Sequence, residues 1–179
     1  MRIISGQHKG RRITAPKKLP VRPTTDMAKE GLFNILNNSF HFNKLNVLEL
    51  FSGSGNVSYE FASRGAVSVT SVDENMDCIK FIKKTSLELD MNITPIKSDV
   101  FKYLERAPIK ADIIFADPPY DFDDEQFKKI VDLVFEKQLL NENGVLIIEH
   151  SKHTKMDKVE HFEVGRRYGN SVFSFFNLT

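Results

Sequence analysis

The sequence predicts an α/β fold of three layers, in which helices cover both faces of a seven-stranded mixed sheet. Two patterns predict it. From residue 46 onward, short apolar strand segments alternate with helical segments, as in parallel strands joined by right-handed crossovers. The segments 161–169 and 170–178 then read as two strands with only a tight turn between them, which predicts an antiparallel hairpin added to the sheet. At 179 residues the chain is long enough to bury one real core.

Each element follows from the local apolar pattern. Five apolar runs predict the parallel strands, over 46–50, 66–73, 93–99, 111–117 and 145–150, with a turn at 141–144 before the last. Apolar residues at helical spacing predict the crossover helices, over 56–65, 74–90, 100–107 and 124–140. A further helix is predicted over 27–40, ahead of the sheet, with Thr25 or Asp26 as its N-cap.

The N-terminus is a basic arm on a mildly acidic body. Seven cations and no acid precede Asp26, whereas the rest of the chain has 18 Lys plus Arg against 24 Asp plus Glu. The seven are Arg2, Lys9, Arg11, Arg12, Lys17, Lys18 and Arg22. Glycines at 6 and 10 bracket a turn between two strand-like segments, so we predict a basic β-hairpin in a unit 1–22, attached to a domain 23–179. Such arms commonly contact nucleic acid phosphates; the alternative is a solvated tail.

Composition argues against several classes of protein. No apolar run reaches the length of a membrane span, and the first residues carry no hydrophobic signal, which favours the cytoplasm. The one cysteine, Cys78, allows neither an intramolecular disulfide nor a multi-cysteine metal site. His150 and His153 flank two residues after the fifth strand, but with five scattered histidines we predict no metal site.

The carboxyl ends of the predicted strands carry glycines and acids. Gly53 and Gly55 lie in the loop after the first strand, where the backbone can approach a ligand. A dinucleotide fingerprint would place a third glycine or alanine at the position of Ser58, and Glu49 would repel a pyrophosphate. Asp73 follows twenty residues after Gly53, where a carboxylate can bind ribose hydroxyls.

Two further acids, Asp99 and Asp117, stand at the carboxyl ends of the third and fourth predicted strands. Asp99 could accept from an adenine amino group beside Val100, although it also stands where a helix needs a cap. Four acids around a glycine loop suit a cationic, nucleoside-like ligand without phosphate, and S-adenosylmethionine meets each requirement. The candidate cofactor residues are Glu49, Phe51, Gly53, Gly55, Asp73, Asp99, Val100 and Asp117.

The fourth strand ends in the unusual sequence Asp117-Pro118-Pro119-Tyr120. Two prolines stop the strand ladder and stiffen its exit. One interpretation is a strand terminator whose Asp117 bonds turn amides; the other is a preset hydrogen-bond acceptor beside a flat aromatic ring.

The motifs "LELFSGSG", "VDEN", "SDVF" and "DPPY", with "RPTTD", "KEGLFNIL" and "RRYGNSVFSFF" outside them, resemble the RsmD-type 16S rRNA guanine-N2 methyltransferases. The resemblance spans essentially the whole chain. It implies a Rossmann-like methyltransferase that acts as a monomer, with S-adenosylmethionine as cofactor and ribosomal RNA within a small-subunit particle as substrate. It also implies that Asp117, Pro118, Pro119 and Tyr120 form the catalytic corner.

Other functions stay open at this stage. The motif also suits an adenine-N6 methyltransferase of RNA or DNA, although the chain has no separate target-recognition domain. A nicotinamide-dependent oxidoreductase is disfavoured by Ser58 and Glu49, and a non-catalytic RNA chaperone by the intact DPPY motif.

Overall fold

The computed structural model describes residues 1–22 and 24–178, and a seven-stranded sheet crosses its centre. The strands lie in the order β3-β2-β1-β4-β5-β7-β6. Their bounds are β1 Asn46–Leu50, β2 Ser68–Asp73, β3 Ile93–Lys97, β4 Ala111–Ala116, β5 Leu140–Ser151, β6 Phe162–Tyr168 and β7 Ser171–Phe176. The first five are parallel, and β7 and β6 join antiparallel beside β5. The predicted fold class is confirmed.

Helices pack on both faces of this sheet. They are α1 Asp26–Ser39, α2 Asn56–Ser63, α3 Met76–Glu88, α4 Val100–Arg106 and α5 Asp124–Glu136, with a 3-10 turn at Phe42–Lys44. The apolar faces of α1, α2 and α3 share one core, and those of α4 and α5 share the other. Alternate residues of each central strand point into the two cores; on β4, Phe115 faces the first and Ile114 the second. Thr25, one of the two residues predicted as the N-cap, caps α1 by accepting from the Ala28 amide.

No helix of the described residues is long and apolar enough to cross a membrane.

The predicted turn at 141–144 is wrong, because these residues lie within β5. Leu140 pairs with Ala111 and Val145 pairs with Ile113, so the four residues between them oppose Asp112 alone. Asp112 holds this bulge together, since its carboxylate accepts from the Asn141 amide at 3.1 Å and from the Asn46 backbone at 2.8 Å. A turn signal in the sequence therefore marks a bulge and not a strand boundary.

The predicted N-terminal strands are also wrong in part. The arm folds back on itself as a hairpin, in which backbone bonds join Met1 to Ile13 and Ile3 to Arg11 around an antiparallel bridge of Arg2 and Arg12, but neither side extends into a strand. The amides of Ile4 and Ser5 donate to the Glu60 carboxylate of α2, at 2.8 and 3.1 Å. They are therefore not available for pairing between strands. A Cβ at Gly6 would overlap the Ser63 carbonyl, so the turn lies directly against the end of α2. The arm packs on α2 through backbone contacts that apolar periodicity does not reveal.

Candidate functional site

The carboxyl ends of β3, β2, β1, β4 and β5 lie side by side at one edge of the sheet. The chain reverses its direction of strand addition between β1 and β4, which is the position where open α/β sheets bind ligands. Glu49 is the penultimate residue of β1, Asp73 ends β2, and Asp117 follows β4 directly. Asp99 stands two residues beyond the end of β3. The candidate acids therefore share one edge.

The loop after β1 is built from left-handed backbone. Phe51, Gly53 and Gly55 have φ of 56°, 54° and 88°, and Gly55 is the N-cap of α2. A Cβ at Gly55 would come within 2.8 Å of the Tyr59 ring and 3.0 Å of Ile82. The Gly53 amide donates to Asp73 Oδ2 at 2.8 Å, and the Ser52 amide donates to the Val72 carbonyl at 3.0 Å. The loop is thus fixed to the end of β2, with Gly53 and Asp73 in direct contact.

Asp73 and Asp99 have different local roles. The other Asp73 oxygen accepts from the Asn75 amide at 2.8 Å, and Asn75, not Asp73, caps α3. Asp99 caps α4 by accepting from the Lys102 amide at 3.0 Å, and its side chain is exposed. Val100 beside it is buried.

Three phenylalanines bring together the loop after β1, the start of α4 and the loop after β4. The Phe51 and Phe122 ring centroids are 5.4 Å apart at right angles, and the Phe101 and Phe122 rings stack at 6.0 Å. All three rings are partly exposed. They form an apolar wall beside Gly53 and Asp117 that can accept a flat ring such as a purine.

Glu49, Asp117 and Glu149 form a row across β1, β4 and β5. Glu49 pairs with Phe115 and Ala116 pairs with Ile148, so Asp117 and Glu149 are level at the strand ends. All three side chains point to the face covered by α1 and α2, because they alternate in phase with Val47, Phe115 and Ile147 of that core. Glu49 and Glu149 are only 3% and 7% exposed.

Loss of water makes these acids hard to ionise. Burial, followed by the charges of Asp73 and Glu149, raises the pKa of Glu49 to about 8, although two bonds from Ser58 oppose the shift. Burial and the charges of Glu149 and Glu49 raise the pKa of Asp117, and burial raises the pKa of Glu149. A cation bound among them would reverse these shifts, so the row favours a positively charged ligand.

The DPPY motif turns outward from this row. Asp117 is partly exposed, its amide reaches the Leu50 carbonyl of β1 at 3.4 Å, and Pro118 is buried behind it. Pro119 is exposed, and the Tyr120 side chain is 100% exposed. The corner therefore combines a partly exposed carboxylate with a fully exposed aromatic ring.

The candidate RNA-contacting cations are exposed along the arm. Lys18 lies 3.9 Å from Asp77 in the first turn of α3, whereas Arg11 and Arg12 line a groove with Lys84 and Glu88 of its second half. Arg2 and Lys9 line a cleft of about 490 Å³ between the arm and α1. Arg22 is exposed, and Pro23 of the Arg-Pro-Thr-Thr motif lies outside the described residues.

Sequence reasoning missed three residues of this edge. Glu149 lies inside a strand predicted only as core, Thr24 bonds to it from 125 positions away, and Phe122 completes the aromatic wall. Of the three, only Phe122 could have been predicted from the sequence, because it follows the DPPY motif by two residues. Within residues 1–22 and 24–178, the acids form no group that could hold a metal ion.

The family model described as "Conserved hypothetical protein 95" matches residues 1–177. The chain is 34% identical over 161 residues to "Putative rRNA methyltransferase YlbH" of Bacillus subtilis, which covers 87% of this chain and 85% of that protein. It is 34% identical over 150 residues to "Ribosomal RNA small subunit methyltransferase D" of Buchnera aphidicola, covering 83% and 75%. The chain belongs to the RsmD family. The resemblance seen in the sequence motifs is thereby confirmed.

A solved structure matches nearly the whole molecule. "Putative methyltransferase yhhF from Escherichia coli" superposes with a TM-score of 0.85 at 25% identity, covering 98% of this chain and 96% of that one. The arm and the carboxylate edge therefore belong to one architecture, which is Rossmann-like and typical of methyltransferases.

Proposed function

We propose that this protein transfers a methyl group from S-adenosylmethionine to the exocyclic N2 amine of a guanine in small-subunit ribosomal RNA, in the cytoplasm. The observation that carries the proposal is the single edge shared by the Gly53–Asp73 contact, the phenylalanine wall and the Asp117 corner. Membership of the RsmD family supports the reaction class.

The residues at this edge fit S-adenosylmethionine. The wall of Phe51, Phe101 and Phe122 suits adenine, and Asp73 lies beside the glycine loop where it can accept ribose hydroxyls. Both Ser58 bonds use Glu49 Oε2, so Oε1 is the oxygen that remains among the described residues for an ammonium group. When bound, this cofactor supplies a methyl group made electrophilic by a sulfonium, so the protein has mainly to bind and align.

The same edge disfavours a nicotinamide dinucleotide. Its pyrophosphate would bring two negative charges toward Glu49, Asp117 and Glu149, whose burial already raises their pKa values. An oxidoreductase would need a cationic or neutral lining at this position.

Asp117 compensates for the weak nucleophilicity of the guanine N2 amine. The guanine N2 lone pair is delocalised into the ring, so the amine attacks poorly. Asp117 accepts one amino hydrogen and the Pro118 carbonyl the other, which favours a pyramidal nitrogen with its lone pair toward the methyl. Because two prolines fix these acceptors, little ordering remains for the reaction step. After methylation the cationic nitrogen releases its proton to the Asp117 carboxylate, which already accepts that hydrogen, so no strong base is required.

RNA approaches along the basic arm. A paired guanine has its N2 group occupied, so the target is unpaired or turned out of its helix. Tyr120 is free to stack on that base, a contact worth roughly 1 to 3 kcal/mol in nucleic acid binders. We propose the unit 1–22 as the RNA-holding arm and 23–179 as the catalytic domain.

The decisive experiment compares Asp117→Ala with the neighbouring exposed acid as control, Asp121→Ala. We expect Asp117→Ala to retain cofactor affinity and lose at least about a hundredfold in kcat, as for loss of a preorganised acceptor. Labelled cofactor would be offered to small ribosomal subunits, free ribosomal RNA and duplex DNA, and the methylated nucleoside identified after digestion. Label in N6-methyladenosine would contradict guanine as the target, and loss of cofactor affinity would make Asp117 a structural residue.

A further inference from the structure

Thr24 is held between two distant elements of the catalytic edge. Its hydroxyl donates to Glu149 Oε2 at 2.7 Å, and the two residues are 9% and 7% exposed. Its carbonyl accepts from Asn56 Nδ2 at 3.1 Å, and Asn56 is the first residue of α2. Asn56 is fixed in turn by the buried Lys29 ammonium at 2.8 Å. Thr24 therefore joins the end of β5 to the start of α2.

The preceding residues touch the glycine loop. Val21 Cγ1 lies 3.0 Å from the position that a Cβ on Gly53 would take, and the Val21 amide donates to the Leu19 carbonyl at 2.8 Å. Leu19 itself is buried. Residues 19–22 and Thr24, which we call the strap, thus run from the loop after β1 to the end of β5. Since β4 lies between β1 and β5, Asp117 lies between the two elements that the strap contacts.

We propose that Glu149 is a positioning residue, whose bond to Thr24 holds the strap across the Asp117 corner as one wall of the site for the RNA base. The inference rests on the proposed function. It also places Arg22, which is exposed and bracketed by Val21 at the glycine loop and Thr24 at β5, on the rim that RNA must cross. Glu149 acts on the RNA through Thr24 and makes no direct contact with the reacting atoms.

The cofactor side does not depend on this bond. The loop after β1 is closed by its own contacts, from Gly53 to Asp73 at 2.8 Å and from the Gly55 amide to the Ser52 carbonyl at 2.8 Å. Breaking the Thr24–Glu149 bond should therefore disturb the wall for RNA and leave the cofactor site in place.

Two matched pairs of variants test the inference. Thr24→Val and Glu149→Leu remove the bond at similar volume, whereas Thr24→Ser and Glu149→Gln keep a donor and an acceptor. We expect Thr24→Val to have about tenfold lower kcat/KM for RNA than Thr24→Ser, and Glu149→Leu about tenfold lower than Glu149→Gln, while the Kd for S-adenosylhomocysteine differs less than about twofold within each pair. Both Glu149 variants remove the same charge from the acidic row, so the comparison within the pair isolates the bond to Thr24. Equal kinetics within each pair, or a loss of cofactor affinity within a pair that parallels the loss of kcat/KM, would overturn the proposal.

Hydrogen exchange tests the role of the Thr24–Glu149 bond independently of activity. In Thr24→Val and Glu149→Leu, amides of the strap should exchange faster, beginning with Val21, while those of residues 52–55 keep their protection. Unchanged exchange in the strap would overturn the proposal, even if the native enzyme is active. If the native protein methylates no RNA but the strap amides respond as described, the proposed function fails and the positioning bond stands.

Discussion

At the scale of single residues, Glu49 combines two properties that rarely occur together. It is buried among other acids, yet it has one oxygen free for a ligand among the described residues. Its pKa of about 8 means that the ligand-free protein binds a proton there at neutral pH. A cationic ligand should release that proton, so Glu49 couples cofactor binding to pH.

Glu49→Gln should flatten the pH dependence of stability. Because burial raises the folded pKa to about 8 from an ordinary 4.5, the folded state binds more protons than the unfolded state between these values. The free energy of unfolding of the native protein therefore falls as pH rises through this window. The glutamine variant does not titrate there, so above pH 8 it should be the more stable by about 2 to 5 kcal/mol.

Urea denaturation from pH 5 to 9 measures this effect, with Glu105→Gln as the exposed control. Asp117 and Glu149 also have raised pKa values, so the variant should retain a shallower decline of the same sign. Parallel profiles for Glu49→Gln and the native protein would show that Glu49 is ionised in the folded state.

At the scale of elements, the sequence predicted what depends on local apolar pattern and missed what depends on distant partners. Each parallel strand has its own apolar run, so all five were located within a few residues. The arm forms a hairpin without extended strands, because Glu60 of α2 takes the amides of Ile4 and Ser5. The Thr24–Glu149 bond joins positions 125 apart and has no local signal. The acids at the strand ends could be predicted, whereas their burial could not.

Replacing Gly55 at the start of α2 should lower the free energy of unfolding more than replacing a comparable glycine elsewhere. Gly55→Ala adds a Cβ at φ +88° and 2.8 Å from the Tyr59 ring, so it combines backbone strain with a clash. Gly65→Ala is the matched control, since Gly65 has φ +98° and nothing within 4 Å of an added Cβ. We expect the control to lose about 1 to 2 kcal/mol of unfolding free energy from backbone strain alone.

Gly55→Ala should lose at least about 1 kcal/mol more, because overpacking adds its own cost. Chemical denaturation of both variants gives the two values, and their difference isolates the clash. Equal losses would mean that Tyr59 and Ile82 move aside without cost, and that the loop tolerates a side chain at this position.

At the scale of the whole molecule, the arm connects the two ends of the α2–α3 layer. Its turn lies on Ser63 at the end of α2, and Arg11 and Arg12 line a groove with the second half of α3. Lys18 lies near Asp77 at the start of α3, close to the carboxyl edge of the sheet. An α-helix of 13 residues is about 20 Å long, so the basic surface spans that distance from the rim toward the opposite edge of the sheet.

RNA bound along this surface should respond to cations at both of its ends. Deleting residues 1–18 would confound the test, because Ile3 and Ile13 belong to the core and Glu60 would lose the two amides that donate to it from the arm. We therefore predict the effect of two double substitutions by glutamine, Lys17 with Lys18 near the rim and Lys9 with Arg11 at the far end. Each should reduce the slope of log K against log salt by about 1.4, two charges at roughly 0.7 each for single-stranded RNA.

Lys110 and Lys137 provide the control pair, since they are exposed, precede β4 and follow α5, and therefore lie at the amino edge of the sheet. Their replacement should leave the slope unchanged, and none of the three pairs should alter cofactor affinity. A change for the rim pair alone would confine RNA to the catalytic edge. Unchanged slopes for both arm pairs would show that the arm does not bind RNA. The strap and Tyr120 would then be the remaining candidates for RNA recognition.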